Sequence, residues 1–205
     1  MRVAVFGATG GTGKEIVVQA LEMGYTVSAL VRDPNRLPPE AKGIATVVGD
    51  VLDPCKVNQT LRGTDAVIVS LGNRSDSPEN TVSSGTKHII DAMGDHGVKR
   101  LVVITSLGVG DSKDQVPFAF KLVMKTVMRK IMADKELQEE YVQGSGLDWV
   151  ILRPGELRDG PKTGDFTFGT SREITAKAIS RADLASFALK QLVDDHFLRK
   201  AVAVT

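Results

Sequence analysis

The sequence predicts an α/β fold in which one parallel sheet is covered by helices on both faces. Three observations predict it: short apolar runs alternate with helix-like segments, a glycine-rich loop follows the first run, and 205 residues suit a single domain with a sizeable core. Parallel strands covered on both faces are apolar throughout, and the chain needs a crossover, usually helical, between them. We therefore expect one doubly wound sheet over residues 1–205 with right-handed crossovers.

Seven apolar runs have the length of a strand. Several of them are apolar throughout, as buried parallel strands are. They are RVAVFG (2–7), YTVSALV (25–31), ATVVGD (45–50), DAVIVSLG (65–72), RLVVITS (100–106), DWVILRPG (148–155) and AVAVT (201–205).

Five segments between these runs have the length and pattern of helices. Gly24 and Gly97 stand where helix ends are expected. No repeat, low-complexity tract or linker interrupts the alternation. The predicted helices are Lys14–Met23, Pro54–Leu61, Thr81–His96, Phe118–Gln143 and Arg181–Asp194.

The sequence GATGGTG joins the first strand to the first helix. Gly7 allows a sharp turn out of the strand, Gly10 lets the backbone approach a phosphate, and Gly13 lets the helix pack closely. The helix N-terminus adds free N–H groups and a partial positive charge. The spacing differs from G-x-G-x-x-G, and Glu15 after Lys14 excludes a P-loop.

We interpret this loop as the pyrophosphate-binding loop of a dinucleotide site, which makes the sheet Rossmann-like. The alternative is a tight turn with a purely structural role. The candidate cofactor-binding residues of the loop are Gly7, Thr9, Gly10, Gly11, Thr12 and Gly13.

The end of the second strand, LVRDPNRL, indicates which dinucleotide binds. An NAD site usually has an acidic residue at this point, which holds the ribose 2′-hydroxyl. Here Arg32 and Arg36 are four residues apart, so two guanidinium groups can converge on a 2′-phosphate. We therefore expect NADPH (NADP+) as the cofactor. The alternatives are two solvated loop arginines, or Asp33 reaching the ribose.

Asp50 and Val51 close the third predicted strand. A side-chain acceptor followed by a backbone amide suits the edge of an adenine ring, so both are candidate cofactor-binding residues. The alternative is that Asp50 caps the turn that follows.

The composition excludes several classes of function. A formal net charge of +1 gives no overall field that would favour nucleic acid or a membrane. The single cysteine, Cys55, rules out a disulfide within the chain and suits a reducing compartment. No signal peptide and no apolar run of ~18 residues is visible, and none of the three histidines has the company of further metal ligands. We expect a cytoplasmic protein without a metal site.

Several motifs together resemble the atypical short-chain dehydrogenase/reductases. They are GATGGTG, LVRDPNR, VVGDV, DAVIVSLG, VVITS, SGLDWVILRPG and ISRADLA. Within that family the chain is most similar to the NADPH-dependent flavin reductases, also called biliverdin-IXβ reductases, from Met1 to about Pro161 and again from about Ser180. The more specific part is LVRDPNRLP with VVGDVL and DAVIVSLGNR, whereas ILRPG is shared widely.

The resemblance implies roles for particular residues. The two arginines of LVRDPNR would hold the 2′-phosphate, and the Asp-Val pair of VVGDV would hold the adenine. The nicotinamide side would be lined by Leu71, Gly72, Thr105 and Ser106. The resemblance also implies a shallow, permissive substrate pocket at the carboxyl edge of the sheet, with FMN, another flavin or a linear tetrapyrrole as the substrate.

Four residues are expected near the reacting centre, and two of them are candidate catalytic residues. Ser106 ends the fifth strand and matches the active-site serine of the family, so it could hydrogen-bond the substrate or the nicotinamide; the alternative is a strand-end cap. Lys135 matches a ribose-binding or substrate-facing position of the family; the alternative is a solvated helix lysine. Pro154 and Gly155 should border the nicotinamide, although they could simply form a turn.

Most short-chain dehydrogenases carry a Tyr-x-x-x-Lys pair, whose lysine lowers the pKa of the tyrosine for proton transfer. The two tyrosines here are Tyr25 and Tyr141, and four residues after Tyr141 stands Ser145. Carbonyl reduction by that route is therefore not expected. Flavin reduction needs less, because hydride passes between stacked rings and solvent can supply the proton.

The sequence thus predicts a monomeric NADPH-dependent reductase of flavins and linear tetrapyrroles. Two alternatives stay open at this point. A nucleotide-sugar epimerase or dehydratase is disfavoured by chain length and by the missing Tyr-x-x-x-Lys pair. A non-catalytic NADP(H)-binding regulator or scaffold would use the same loop and would need no catalytic group.

The predicted helix Phe118–Gln143 places basic residues on one stripe and methionines on the next. We interpret the methionines as core and the basic residues as a solvated edge. The alternative is a basic rim that attracts an anionic substrate. The basic residues are Lys121, Lys125 and Arg129, and the methionines are Met124, Met128 and Met132.

Overall fold

The structure is a computed structural model that describes residues 1–73 and 77–205, and within these residues it has ten strands and six helices. The strands are β1 (Arg2–Phe6), β2 (Thr26–Val31), β3 (Ala45–Val48), β4 (Ala66–Val69), β5 (Arg100–Ile104), β6 (Asp148–Pro154), β7 (Glu156–Arg158), β8 (Phe168–Gly169), β9 (Ala178–Ser180) and β10 (Lys200–Val204). The helices are α1 (Gly11–Glu22), α2 (Pro54–Thr60), α3 (Thr81–His96), α4 (Phe118–Lys125), α5 (Arg129–Gln143) and α6 (Arg181–Lys190). Arg74, the last residue of the DAVIVSLGNR motif, lies outside the described residues.

The main sheet has the strand order β3-β2-β1-β4-β5-β6-β10-β8. Neighbouring strands from β3 through to β10 are parallel, and the short edge strand β8 pairs antiparallel with β10. After β3 the chain crosses to β4 on the far side of β1. This reversal of strand order creates a crevice at the carboxyl ends of β1 and β4, where ligands bind in doubly wound sheets.

Helices cover both faces of the sheet, which confirms the predicted Rossmann-like class. On one face α1 and α6 bury a core against the odd-numbered residues of β1 and β2, such as Val3 and Val5. On the other face α2, α3 and α5 bury Ala4, Phe6 and their neighbours. The central strands are therefore apolar on both faces, which is why their sequences are apolar without alternation. Within the described residues no helix is long and apolar enough to cross a bilayer.

Local side chains fix where several helices begin and end. Asp53 caps α2 by accepting hydrogen bonds from the backbone amides of Cys55 and Lys56. Ser180 caps α6 in the same way through the amide of Asp183. Gly97 ends α3 in the left-handed conformation, with φ of 68°, as its position after the predicted helix indicated.

The predicted helix Phe118–Gln143 is wrong as a single element, because the chain leaves the helix after Lys125 and begins α5 at Arg129. At the break the Thr126 hydroxyl donates to the Leu122 carbonyl, a local bond that competes with helical pairing. The two stripes therefore share no continuous helical register. Met124 and Met132 are nevertheless buried in a small third cluster with Leu107, which confirms the core interpretation of these methionines.

Three short strands, β7, β8 and β9, were not predicted. The short strands β7 and β9 pair in parallel as a separate two-stranded sheet beside the carboxyl ends of the main strands. Both are three residues long, too short for a periodic pattern to show in the sequence.

Candidate active site

A cleft of about 590 Å³ opens at the carboxyl ends of the central strands. It extends from the end of β2 across β1 and β4 to β5 and β6. Every predicted site residue except Gly13 lines it: Gly7, Thr9, Gly10, Gly11, Thr12, Arg32, Arg36, Asp50, Val51, Leu71, Gly72, Thr105, Ser106, Lys135, Pro154 and Gly155.

The glycine-rich loop forms the floor of the cleft where β1 meets α1. Gly7 has φ of 90°, and a Cβ there would lie 2.2 Å from the Ser70 carbonyl oxygen, so only glycine fits the turn. Gly10 is different, because its φ of −79° suits any residue and the nearest protein atom to its Cβ position is 3.4 Å away. The space beside Gly10 is thus open to the cleft. A phosphate group can approach the backbone there, at the free N–H groups that begin α1.

Gly13 does not line the cleft, and its contact with a cofactor stays a prediction. A Cβ on Gly13 would lie 2.0 Å from the Gly7 carbonyl oxygen, so the residue serves the close packing of α1 on its own loop. Gly11 faces the cleft but is covered, since its Cβ would lie 2.6 Å from Nε of Arg181. Of the four glycines in GATGGTG, Gly7 and Gly13 therefore have a steric reason to be glycine within the fold, whereas Gly10 leaves space in the cleft.

Arg32 and Arg36 both reach the cleft at the end of β2. Asp33 does not line it. Its carboxylate accepts a hydrogen bond from the Asn35 amide at 3.0 Å and so begins a short 3₁₀ turn. The acidic residue that could have reached a ribose is therefore engaged in its own loop, and two guanidinium groups occupy this end of the cleft.

Asp50 caps the turn after β3, as the alternative interpretation predicted. Its Oδ1 accepts from the Leu52 amide at 2.9 Å, while Oδ2 lies 3.9 Å from a guanidinium nitrogen of Arg32. The backbone of Val51 is held from behind, because Nδ1 of His88 lies 3.1 Å from the Val51 carbonyl oxygen. Contact of Asp50 or Val51 with an adenine stays a prediction.

A buried ionic network supports the other end of the cleft. Glu139 of α5 accepts a hydrogen bond from the Thr105 hydroxyl at 2.7 Å and two more from the Arg153 guanidinium at 3.0 and 2.6 Å. Arg153 also donates to Asp111 at 2.5 Å, in the loop that follows β5. Burial by itself lowers the pKa of Arg153, but its bonds to Glu139 and Asp111 raise that pKa above its usual value. The Thr105 side chain therefore points into the protein, and only its backbone faces the cleft.

Ser106 and Lys135 both line this end of the cleft. The Lys135 ammonium donates to the Thr105 carbonyl at 3.2 Å. Burial lowers the pKa of Lys135 to about 8, although the negative charges of Asp134 and Glu139 raise it. Lys135 is therefore not a solvated helix lysine, which was the alternative interpretation of this residue. The Ser106 hydroxyl donates to the adjacent Leu107 carbonyl at 3.0 Å, so it does not cap the strand. Both groups can hydrogen-bond a ligand.

Pro154 and Gly155 border the cleft after β6. A Cβ on Gly155 would lie 2.0 Å from the Lys177 carbonyl oxygen, so this glycine lets the segment before β9 approach the end of β6. Its amide donates to the Val204 carbonyl of β10 at 3.1 Å. Gly155 thus has a structural reason to be glycine beside its place in the cleft wall.

Comparison with known proteins shows the family of the chain. A sequence model of the protein family described as NAD(P)H-binding matches residues 7–195. The chain belongs to this NAD(P)H-binding family.

Relatives of this NAD(P)H-binding chain include proteins with and without a described reaction. An uncharacterized chloroplastic protein of Arabidopsis thaliana is 30% identical over 218 residues, which cover 99% of this chain and 76% of that protein. The photosystem II assembly factor Ycf39 of Synechocystis sp. is 28% identical over 216 residues, covering 100% of this chain and 62% of the factor. Among solved structures, the anaerobilin reductase ChuY of Escherichia coli O157:H7 superposes with a TM-score of 0.86 at 26% identity, covering 100% of this chain and 96% of ChuY.

These findings make the chain an NAD(P)H-dependent oxidoreductase of the atypical short-chain dehydrogenase/reductase type, as its motifs predicted. The glycine-rich loop of the family is the part of the cleft that fits a dinucleotide, because the space beside Gly10 is open and α1 begins there. Among the described residues that line the cleft there is no tyrosine, and one helical turn before Lys135 stands Ile131.

Sequence analysis missed several residues of the cleft. Leu157 of β7 and Arg181 of α6 line it, although neither follows a strand of the main sheet. Arg181 belongs to the ISRADLA motif, and a cation at the first position of a helix was the available signal. Of the predicted basic stripe, Lys121 pairs with Asp114 on the surface, and neither Lys121 nor Arg129 lines the cleft. The Lys125 side chain lies outside the description.

Proposed function

We propose that this chain is an NADPH-dependent reductase that transfers hydride to flavins such as FMN, FAD or riboflavin, and to linear tetrapyrroles. The observation that carries the proposal is the cleft itself. It joins a dinucleotide cradle at Gly10 to an end that has Ser106 and Lys135 but no tyrosine among its described lining residues. Such a site can orient two planar ring systems without offering the proton donor of an alcohol dehydrogenase.

The cofactor preference rests on charge at the end of β2. Arg32 and Arg36 both line the cleft, and Asp33 is tied to Asn35 instead of facing a ribose. Two guanidinium groups favour a 2′-phosphate over a 2′-hydroxyl, because charge-assisted bonds to phosphate are the stronger ones. NADPH is therefore the proposed hydride donor.

The chain's own residues position the reactants. When bound, the reduced nicotinamide supplies the hydride, and one solvent proton completes the balance: NADPH, a proton and oxidised flavin give NADP+ and reduced flavin. The Ser106 hydroxyl and the Lys135 ammonium orient the rings by hydrogen bonds at the cleft end. The network of Glu139, Arg153 and Thr105 holds the backbone from which Ser106 projects.

Tetrapyrrole reduction has separate support. ChuY, which is named as an anaerobilin reductase, is similar to this chain along almost the whole of both chains. We extend the proposal to a monomer that acts in the cytoplasm on small molecules, without nucleic acid or membrane. Size-exclusion chromatography tests the monomer.

Steady-state NADPH oxidation tests the reductase. We expect FMN, riboflavin or biliverdin to accelerate NADPH consumption by the purified protein, with NADH far less effective. Anaerobic spectra should show the acceptor losing its visible absorption in step with NADPH. Tight NADPH binding without transfer to any of these acceptors would contradict the proposal.

That contradicting outcome would favour the second candidate, a regulator or scaffold that binds NADP(H) without turnover. The relative Ycf39 is a photosystem II assembly factor, so a related chain of this type is named for assembly and not for a reaction. Because binding alone needs only the loop and the arginines, titration of NADPH in the absence of an acceptor would then still succeed.

The Arg32→Ala variant tests cofactor choice. One charge-assisted hydrogen bond contributes roughly 1.5–3 kcal/mol, so we expect NADPH to bind about tenfold more weakly or worse. NADH affinity should hardly change, because NADH lacks the 2′-phosphate. Fluorescence titration with both nucleotides measures the difference, and equal weakening of the two would mean that Arg32 does not contact the phosphate.

The lowered pKa of Lys135 predicts that kcat/KM for NADPH depends on pH. Because its pKa is lowered to about 8, the ammonium is present below that pH and is lost as the pH rises through it. We expect kcat/KM for NADPH to fall above about pH 8, since this ratio reports groups of the free enzyme. Lys135→Arg keeps its charge throughout and should remove the fall between pH 8 and 10. A fall that persists in the arginine variant would assign the titration to another group.

A further inference from the structure

Arg181 lies across the N-terminal end of α1, although it comes from α6, far along the chain. Its Nε and Cδ would be 2.6 and 2.7 Å from a Cβ on Gly11, the first residue of α1. The start of α6 is fixed in this place, because the Gln19 side chain of α1 donates to the Ala182 carbonyl at 2.9 Å. The guanidinium is thus held beside the glycine-rich loop and inside the cleft.

The cations of the cleft are unevenly distributed. Among the described lining residues, Arg32 and Arg36 stand at the 2′-phosphate end and Lys135 at the opposite end. A dinucleotide carries two further negative charges on its pyrophosphate, which belongs in the middle, at the start of α1. Arg181 is the cation that lines this middle part.

The surroundings of Arg181 give no stability reason for an arginine. It is the first residue of α6, where the helix dipole disfavours a positive charge. Its described partner is Asp159, which accepts from NH1 at 2.7 Å, but the Asp159 side chain is 93% exposed and that of Arg181 only 27%. An ion pair with one fully solvated partner contributes little to folding, so the guanidinium can change partners at low cost.

We propose that Arg181 binds the pyrophosphate of the dinucleotide, and that Asp159 holds the guanidinium over the loop and competes with the phosphate for it. Arginine presents five donors in a fork, so the donors that neither pack on Gly11 nor bind Asp159 can bind phosphate oxygens in the cleft. The inference rests on dinucleotide binding, which the family shows, and it is independent of which acceptor is reduced.

Binding titrations with two probes test this role. NADPH contains the pyrophosphate, whereas 2′-AMP carries the adenosine and 2′-phosphate without it. We expect Arg181→Met to weaken NADPH about tenfold or more while leaving 2′-AMP within about twofold of the parent. Arg32→Ala should weaken both probes, which shows that the 2′-AMP titration is sensitive. Arg172→Met, an exposed arginine outside the cleft, should change neither.

The Asp159→Asn variant distinguishes two possible effects of the Asp159 carboxylate: competition with phosphate for Arg181, and support of the Arg181 guanidinium in its place. If the carboxylate competes with phosphate, the variant should bind NADPH two- to fivefold more tightly than the parent; if the ion pair is needed to build the site, it should bind more weakly. Weaker binding in Asp159→Asn, or equal weakening of NADPH and 2′-AMP in Arg181→Met, would overturn the proposal. Arg181→Lys, which keeps the charge without the fork, should fall between parent and methionine variant. No readout requires turnover, so failure of the reductase proposal would leave this test intact.

Discussion

Gly10→Val is expected to abolish NADPH binding while the protein stays folded. The backbone of Gly10 is extended, and a Cβ there meets its nearest protein atom at an ordinary 3.4 Å, so there is room for a side chain to begin here in the free protein. That room is the space the phosphates would use. We expect affinity to fall by at least about a hundredfold, roughly 2.7 kcal/mol, with reductase activity falling alongside. The cost to folding should stay below ~1 kcal/mol, the scale of an N-cap change.

Gly13→Ala is the matched control for this variant. Its new methyl group would lie 2.0 Å from the Gly7 carbonyl oxygen, so the loop must move or α1 must tilt. We therefore expect a clear fall in melting temperature for Gly13→Ala and almost none for Gly10→Val. NADPH titration and thermal melting on both variants measure the contrast. Retention of tight NADPH binding by Gly10→Val would mean that the phosphates do not bind at this loop.

Arg153→Met should cause the largest loss of stability. The Arg153 and Glu139 side chains are only 7% and 3% exposed, so removing the guanidinium leaves a buried carboxylate without its charge partner. Breaking a buried pair in this way costs about 3–5 kcal/mol. Urea denaturation gives the free energy of unfolding. We expect kcat to fall as well, because the Thr105–Ser106 backbone loses its support.

Two further variants make this result specific. Arg158→Met removes an exposed pair with Glu156, whose side chains are 62% and 67% exposed, and should cost less than ~1 kcal/mol. Glu139→Gln added to Arg153→Met removes the orphaned charge and should recover part of the lost stability. A double variant as unstable as the sum of the two single changes would mean that the two residues act independently.

Much of the fold could be predicted because burial on both faces determines which residues the central strands contain. Strands such as β1 and β4 are buried on both faces, and an unbroken apolar run follows from that burial. Prediction failed for elements that depend on local interactions or on a single close approach of two segments. The break between α4 and α5 falls at Thr126, where no proline or glycine marks it. The pairing of β7 with β9 brings together distant segments, which approach closely at Gly155.

Many residues of the cleft could be predicted because they follow strands, although Gly49 and Ser70, which directly follow β3 and β4, were missed. Parallel topology brings all such positions to one edge, so Gly10, Arg32 and Ser106 needed only their place in the alternation. Arg181 was missed because it enters from the start of a helix, through packing of α6 on α1. The role of Glu139 was missed for a similar reason: its buried partner Arg153 is 14 residues away, and no sequence period links them.

The small apolar cluster beyond β5 has a consequence for how such chains diverge. Leu107, Val109, Val116, Met124 and Met132 pack together apart from the two main cores, and Met124 lies against Gly108 just after Ser106. None of the five lines the cleft, but they hold the segment that follows Ser106, so we expect substitutions among them to shift that segment while the two main cores keep their packing. We therefore expect related chains to differ in electron acceptor through changes in this cluster, with the coenzyme end of the cleft unaltered.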